Sequence, residues 1–257
     1  MSSAPSPTSA PSTPMTRPDS ESSVASMFDR IAGRYDFLNR TLSARQDVRW
    51  RKHLIDLIPY RPQGTFLDMA TGTGDVILAA AASHQEYADF IGADISTGMM
   101  KHGADKANYQ LKSGMIKHAL TWRTMSAENI LLEDQSCDCV SISFGLRNVV
   151  YKANALNEFS RVLKNGGVLL ILEFFTPQGG IMSRLFQFYF HYILPIIGRL
   201  FSEKEAYSYL PKSVASFYTP SELREELRNR NFRIDVEKNF LFGACRLVRA
   251  RKIDNVF

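Results

Sequence analysis

Little in this chain points to covalent cross-links or to metal chemistry. Its 257 residues include three cysteines, Cys137, Cys139 and Cys245. They offer no disulfide framework and no CxxC pair, and Cys137 and Cys139 alternate as ordinary strand positions do. The five histidines, His53, His84, His102, His118 and His191, fit no metal-ligand spacing. A membrane-spanning run is also missing. The fourteen uncharged residues between Arg184 and Arg199 are too few to cross a bilayer, and Pro195 interrupts them. Residues 1–23, mostly Ser, Pro, Thr and Ala, lack an apolar core, so they are expected to be a disordered tail rather than a secretory signal. A cytoplasmic location is expected. Basic residues outnumber acidic ones by 31 to 26, a net +5, but they are scattered, so a nucleic-acid partner is not expected.

What the chain does have begins at Thr65. Thr65-Phe66-Leu67-Asp68-Met69-Ala70-Thr71-Gly72-Thr73-Gly74-Asp75 reads as a strand falling into a glycine turn that opens a helix. A phosphate-binding G-x-G-x-x-G would need glycine at 77, where Ile77 stands. Asp68 and Asp75 flank the turn and would repel a pyrophosphate by about 1–4 kcal/mol per close pair. A cation would be favoured, which points to S-adenosylmethionine (SAM), with its sulfonium and ammonium and no phosphate. The next strand ends in Asp94, twenty residues after Gly74, where a carboxylate can accept both ribose hydroxyls. An NAD-binding enzyme shares that acid and is set aside on the turn alone.

Strands are expected near 66–70, 88–93, 119–124, 138–144 and 167–174, alternating with helices at 75–83, 97–107 and 152–164. A helix at 221–230, capped by Thr219 or Ser221, precedes strands near 232–238 and 242–250. Such β-α repeats imply a parallel sheet covered on both faces, with a closing antiparallel hairpin at its edge. Upstream, a short helix at Val24–Ile31 is expected to lead into a polar loop. A second helix would open with a capping box of Ser43 and Gln46 and run to Ile58. Residues 24–257 are read as one domain. Its 176–218 interruption is either core or an apolar lid that accepts a greasy substrate and touches a bilayer.

Four stretches resemble the ubiquinone/menaquinone biosynthesis C-methyltransferases. They are Tyr35-Asp36-Phe37-Leu38-Asn39-Arg40-Thr41-Leu42-Ser43-Ala44-Arg45-Gln46-Asp47-Val48-Arg49-Trp50, the glycine turn, Ser143-Phe144-Gly145-Leu146-Arg147-Asn148-Val149, and Arg161-Val162-Leu163-Lys164-Asn165-Gly166-Gly167 running on to Glu173. Leu38 stands where the family usually has methionine, Asn165 where it has proline, and Phe175 where it has serine. The resemblance covers about residues 27 to 250.

It implies a class I SAM-dependent methyltransferase fold, an α/β Rossmann-like, mostly parallel seven-stranded sheet with an antiparallel edge hairpin. The implied activity is methylation of a ring carbon of a 2-polyprenyl quinol, demethylmenaquinol first and the benzoquinol of ubiquinone synthesis as the alternative. A different small-molecule methyltransferase and a silent scaffold of a quinone-synthesis assembly are the further readings. Cofactor contacts are expected from Asp68, Gly72, Thr73, Gly74, Asp94, Ser126, Ala127 and Ser143. At Ser126 many relatives carry Asp or Asn to meet the adenine amino group. Arg147 is expected to stabilise a quinolate and Asp36, or a water, to take its proton. Tyr35, Asn39 and Asn148 are expected to line the substrate pocket, and Glu173 to pair with a base. No metal is expected, and a homodimer is left open.

Overall fold

The computed structural model of the protein describes residues 21–177 and 204–254, with the backbone alone for 204–208. The apolar run at 185–198 and the tail through residue 20 lie outside the described residues.

The described residues begin with helix α1 (Glu21–Leu42) and helix α2 (Gln46–Ile55). Then come β1 (Thr65–Met69), α3 (Asp75–Ser83), β2 (Asp89–Asp94), α4 (Thr97–Lys112), β3 (Thr121–Thr124) and β4 (Cys137–Ser143). A short 3-10 turn at Leu146–Asn148 leads to α5 (Lys152–Val162) and β5 (Leu163–Phe174). Helices α6 (Lys204–Ala215) and α7 (Pro220–Arg228) precede the hairpin of β6 (Phe232–Phe240) and β7 (Cys245–Lys252).

The strands form one sheet in the order β3-β2-β1-β4-β5-β7-β6. All neighbours up to β5 are parallel, while β7 runs antiparallel to both β5 and β6. The closing hairpin thus inserts its last strand beside β5 and leaves β6 at the edge. Order reverses between β1 and β4, and in open parallel sheets ligands bind in the crevice at such a switch.

Central strands are apolar on both sides because both faces are covered. In β1, Phe66 and Leu67 are fully buried but enter different cores. Phe66 joins Trp50, Leu54, Ile77 and Tyr87 under α2 and α3, and Leu67 joins Leu156, Phe159 and Leu227 under α5 and α7. The same period of two runs along β5, with Leu170 and Leu172 on the first side and Leu169 and Ile171 on the second. Each such side chain contributes about 1.5–3 kcal/mol by leaving water. All three cysteines are free and buried, and burial raises the Cys137 thiol to about 11, well away from reactive territory.

Two local expectations change and a third is narrowed. The first helix does not stop at Ile31 but continues to Leu42, so Tyr35, Asp36 and Asn39 stand on a helix, not in a loop. Val24, Met27, Ile31, Ala32 and Leu38 are its buried residues, and this helical spacing carries the helix past the polar residues. Ser43 makes no capping box with Gln46. Its hydroxyl donates to the Asp47 carboxylate at 2.7 Å, and α2 begins only after Arg45, whose φ is 62°. In the 176–218 stretch, Val214 and Phe217 are buried, Phe217 against Phe175, so that end of the interruption belongs to the core. Thr219 does cap α7, in a full capping box with Glu222.

Candidate active site

The cleft lies over the carboxyl ends of β1, β2 and β4. It holds about 650 Å³ of space, counting the part open to solvent. Two of its lining residues have an uncommon backbone: Ala70, at φ 50° after β1, and Phe144, at φ 57° after β4. Such strain persists where surrounding packing enforces it and gathers at binding sites. Here the two loops press together, since a Cβ on Gly145 would collide with the Ala70 Cβ. Gly72 has φ 57° and faces Met99 and Tyr35, so a side chain there would intrude on the cleft.

Asp94 ends β2 in the cleft. Its carboxylate accepts the Gly72 N–H at 2.8 Å and the Ser96 N–H at 2.8 Å. Burial pushes its pKa up, against the pull of those backbone donors. Each oxygen still has lone pairs for a ribose hydroxyl. Beyond it Ile95, Met99, Met125 and Ala127 form an apolar wall. On the far side, Ser143, Gly145, Asn148 and Val149 line the cleft. The Ser143 Oγ and the Asn148 Oδ1 are buried without a hydrogen-bond partner. Buried polar atoms are nearly always paired, so these two call for a ligand with a donor.

Helix α1 covers the cleft, contributing Glu21, Val24, Phe28 and Tyr35 to its lining. Burial raises the Tyr35 phenol, offset by a hydrogen bond with Asn39 and by the nearby Arg51 and Arg147. Carboxylates hold the helix down. Asp29 Oδ1 accepts from Ser96 Oγ at 2.6 Å and the Gly98 N–H at 2.9 Å. Asp36 accepts from Thr73 Oγ1 at 2.5 Å and from Lys106 Nζ at 2.9 Å. Glu21 accepts from Ser126 Oγ.

Several residues expected in direct contact sit behind the lining. Asp68 is 1% exposed, and its oxygens accept from Thr71 Oγ1 and Ser141 Oγ, both at 2.6 Å. It braces the turn, and burial raises its pKa to about 6. Thr73 gives its hydroxyl to Asp36, and Gly74 precedes α3 at φ 82°, where a Cβ would come within 2.8 Å of the Trp122 ring. Asp75 does not lend its charge to the turn. Burial would raise its pKa, but Arg51, Lys106 and Arg40 surround it and hold it below the ordinary carboxylate range.

Asp36 belongs to the same ionic cluster, bound to Lys106 and to Thr73, and is not among the residues that line the cleft. Arg147 is likewise committed: Nη1 binds Glu173 Oε1 at 2.7 Å and the Phe144 carbonyl at 2.6 Å, in a pair with side chains 9% and 0% exposed. Its Nε is buried without a partner. Glu173 also accepts the Arg147 N–H at 3.1 Å, so this acid orders the β4 turn. Asn39 hydrogen-bonds Tyr35, which lines the cleft, and is not itself among the lining residues.

Glu21, Val24, Phe28, Ile95 and Met99 line the cleft without having been expected there. The apolar spacing of α1 points to Val24 alone among them. Among the described residues, no cluster of His, Cys, Asp and Glu could hold a metal.

The family model described as "ubiE/COQ5 methyltransferase family" matches residues 15–252. The chain belongs to that family. It is therefore a methyltransferase. A protein of Geobacter sulfurreducens named "Ubiquinone/menaquinone biosynthesis C-methyltransferase UbiE" is 40% identical over 89% of this chain and 88% of its own length. A Bacteroides fragilis protein named "Demethylmenaquinone methyltransferase" is 36% identical over 89% and 92%. Among solved structures, a SAM-dependent methyltransferase from Thermotoga maritima aligns with a TM-score of 0.59 at 16% identity, over 88% of this chain and 98% of its own. One from Aquifex aeolicus gives 0.55 at 16% identity, over 79% and 89%. These two carry the fold, a class I Rossmann-like sheet, and nothing finer.

Proposed function

We propose that the protein transfers the methyl group of SAM to a ring carbon of a reduced polyprenyl quinol, most directly demethylmenaquinol. Its family membership and the names of its relatives support the reaction class. The observation that carries the site is the pair of unsatisfied buried atoms, Ser143 Oγ and Asn148 Oδ1, on the cleft wall that faces Asp94. A sugar-bearing ligand at Asp94 and a hydroxylated ring at Asn148 would fill both ends of one cleft.

The residues present fit SAM. Asp94 is placed for the ribose hydroxyls, Gly72 leaves room for close approach, and Ile95, Met99, Met125 and Ala127 suit a purine. When bound, SAM supplies a methyl on sulfonium sulfur, an activated leaving group that needs no metal. The protein then has to position a carbon nucleophile and make it reactive.

A quinol carbon attacks only when an adjacent hydroxyl gives up its proton. A phenol-like pKa near 10 leaves about 4 kcal/mol to supply at neutral pH. Asn148 Oδ1 can accept from a quinol hydroxyl, and the Tyr35 phenol stands in the same cleft as a second hydrogen-bonding group. Arg147 supports the quinolate from behind this wall. Its charge is shared with Glu173, so its free Nε edge, not its bound Nη1, is the part left to act. With Asp36 bound to Lys106 and Thr73, a water entering the cleft is the proton acceptor in this reading.

A peripheral contact with the membrane accompanies this reading. Among the described residues no helix is long and apolar enough to cross a membrane. Leu241 and Phe242, 50% and 79% exposed, form the β6–β7 turn next to the carboxyl end of β5, the side from which a lipid tail would enter.

Labelled SAM incubated with reduced demethylmenaquinone tests the function. Label in the lipid fraction supports it. Tight SAM binding with no lipid label, on the naphthoquinol or the matching benzoquinol, rejects it in favour of a scaffold.

A further inference from the structure

We infer that Glu21, at the start of α1, supplies the acceptor for the exocyclic amino group of the adenine ring, and so makes the cover helix part of the cofactor's recognition. The inference rests on the SAM reading and names a residue of the same site.

The apolar wall of Ile95, Met99, Met125 and Ala127 can hold a purine by its faces, but an amino group also needs an acceptor. Ser126 is the polar side chain beside that wall, and its hydroxyl is already engaged. It donates its one hydrogen to Glu21 Oε1, and its oxygen accepts the Glu128 N–H at 3.0 Å. The acceptor beside Ser126 that also lines the cleft is the Glu21 carboxylate, in the same cavity as Asp94 and Ala127. A carboxylate has about four acceptor positions, and the Ser126 hydroxyl occupies one.

The helix that bears Glu21 is fixed in place independently of any ligand. Asp29 holds it to Ser96 and Gly98, and Asp36 holds it to Thr73 and Lys106. Ser96 also gives its N–H to Asp94, so one short segment ties the ribose acid to the cover helix. Glu21 thus reaches the purine end from above while Asp94 holds the ribose from below. Such a carboxylate selects for a ring that donates at this position and against one that presents a carbonyl oxygen there, where two acceptors would oppose each other.

Calorimetry on the full chain tests this with two ligands, S-adenosylhomocysteine and its 6-oxo analogue S-inosylhomocysteine. Wild type is expected to favour the amino ligand by about tenfold or more, the scale of one charge-assisted hydrogen bond at a partly wet rim. Glu21→Gln, which keeps the shape of the side chain and can offer its amide hydrogens to the oxo group, should bring the ratio close to one. Glu21→Ala should do the same, and adding Ser126→Asp to Glu21→Ala should restore the preference. If both Glu21 variants keep the wild-type thermal transition, bind S-adenosylhomocysteine and retain the full preference, the role of Glu21 is overturned. If wild type binds neither ligand, the SAM reading itself has failed.

Discussion

The two sides of the cleft use their charged residues in opposite ways. On the side of β1 and β2, Asp94 presents a carboxylate to the cavity and is held there by backbone N–H groups. On the side of β4 and β5, Arg147 and Glu173 are spent on each other, and below α1 the charges of Asp36, Lys106, Asp75, Arg40, Arg51 and Asp47 close into a network. The lesson is that a charged residue in a family signature can serve the ligand or can serve the shape that receives it. Exposure to the cleft and the hydrogen-bond partners decide which.

This contrast can be broken by mutation, since groups that serve the shape should report in stability and groups that serve the ligand in affinity. The largest effect is expected at the buried pair. Glu173→Ala strands the Arg147 guanidinium in the interior and should lower unfolding stability by about 3–5 kcal/mol in urea titration. Arg147→Ala should do likewise by leaving Glu173 unpaired, so a loss of activity in that variant is informative only beside its stability. Arg147→Lys keeps the charge and loses the fork, and should lower kcat while SAM affinity stays put.

Asp68 comes next. Its pKa of about 6 lies above the ordinary carboxylate value, so protonation favours the fold. The associated stability is fully present below pH 4 and is lost as pH rises through 6, by an amount on the order of 3 kcal/mol. Asp68→Asn should remove that component. The difference in unfolding free energy between wild type and variant should then change across pH 4 to 6 and level off above it. A flat difference contradicts the burial of this acid.

At Asp94 the effect moves to affinity. Asp94→Asn should weaken SAM binding by about 10- to 100-fold, the scale of losing a charge-assisted hydrogen bond, with a thermal transition near that of wild type. The smallest effect belongs to Lys106, whose side chain is 34% exposed. Lys106→Ala should change stability by about 1 kcal/mol or less, because partly exposed pairs are screened. A large loss there would show that the network under α1 is stronger than its exposure implies.

What the sequence revealed follows the same division. The glycine turn, the acid at the tip of β2 and the parallel sheet with its antiparallel hairpin depend on local chemistry: apolar runs, a glycine where φ is positive, an acid at a strand end. Those features were legible, down to the α3 boundaries and the Thr219 cap of α7. The partner of a charged side chain is a matter of tertiary packing, and no local pattern brings Lys106 to Asp36, 70 residues away. Glu173 was expected to pair with a base such as Arg147, yet the cost to Arg147's reach could be seen only with Phe144 and the β4 turn in place. The length of α1 was missed for a simpler reason. Its polar residues face the cleft and the ionic network, so a reading that takes polar stretches for loops ends the helix too soon.

The most direct test of the account is a calorimetric titration of the wild-type chain with SAM and, separately, with NAD. Saturable heat with SAM that Asp94→Asn largely abolishes, and none with NAD, is the predicted result. Saturation by the dinucleotide with no response to SAM would contradict it.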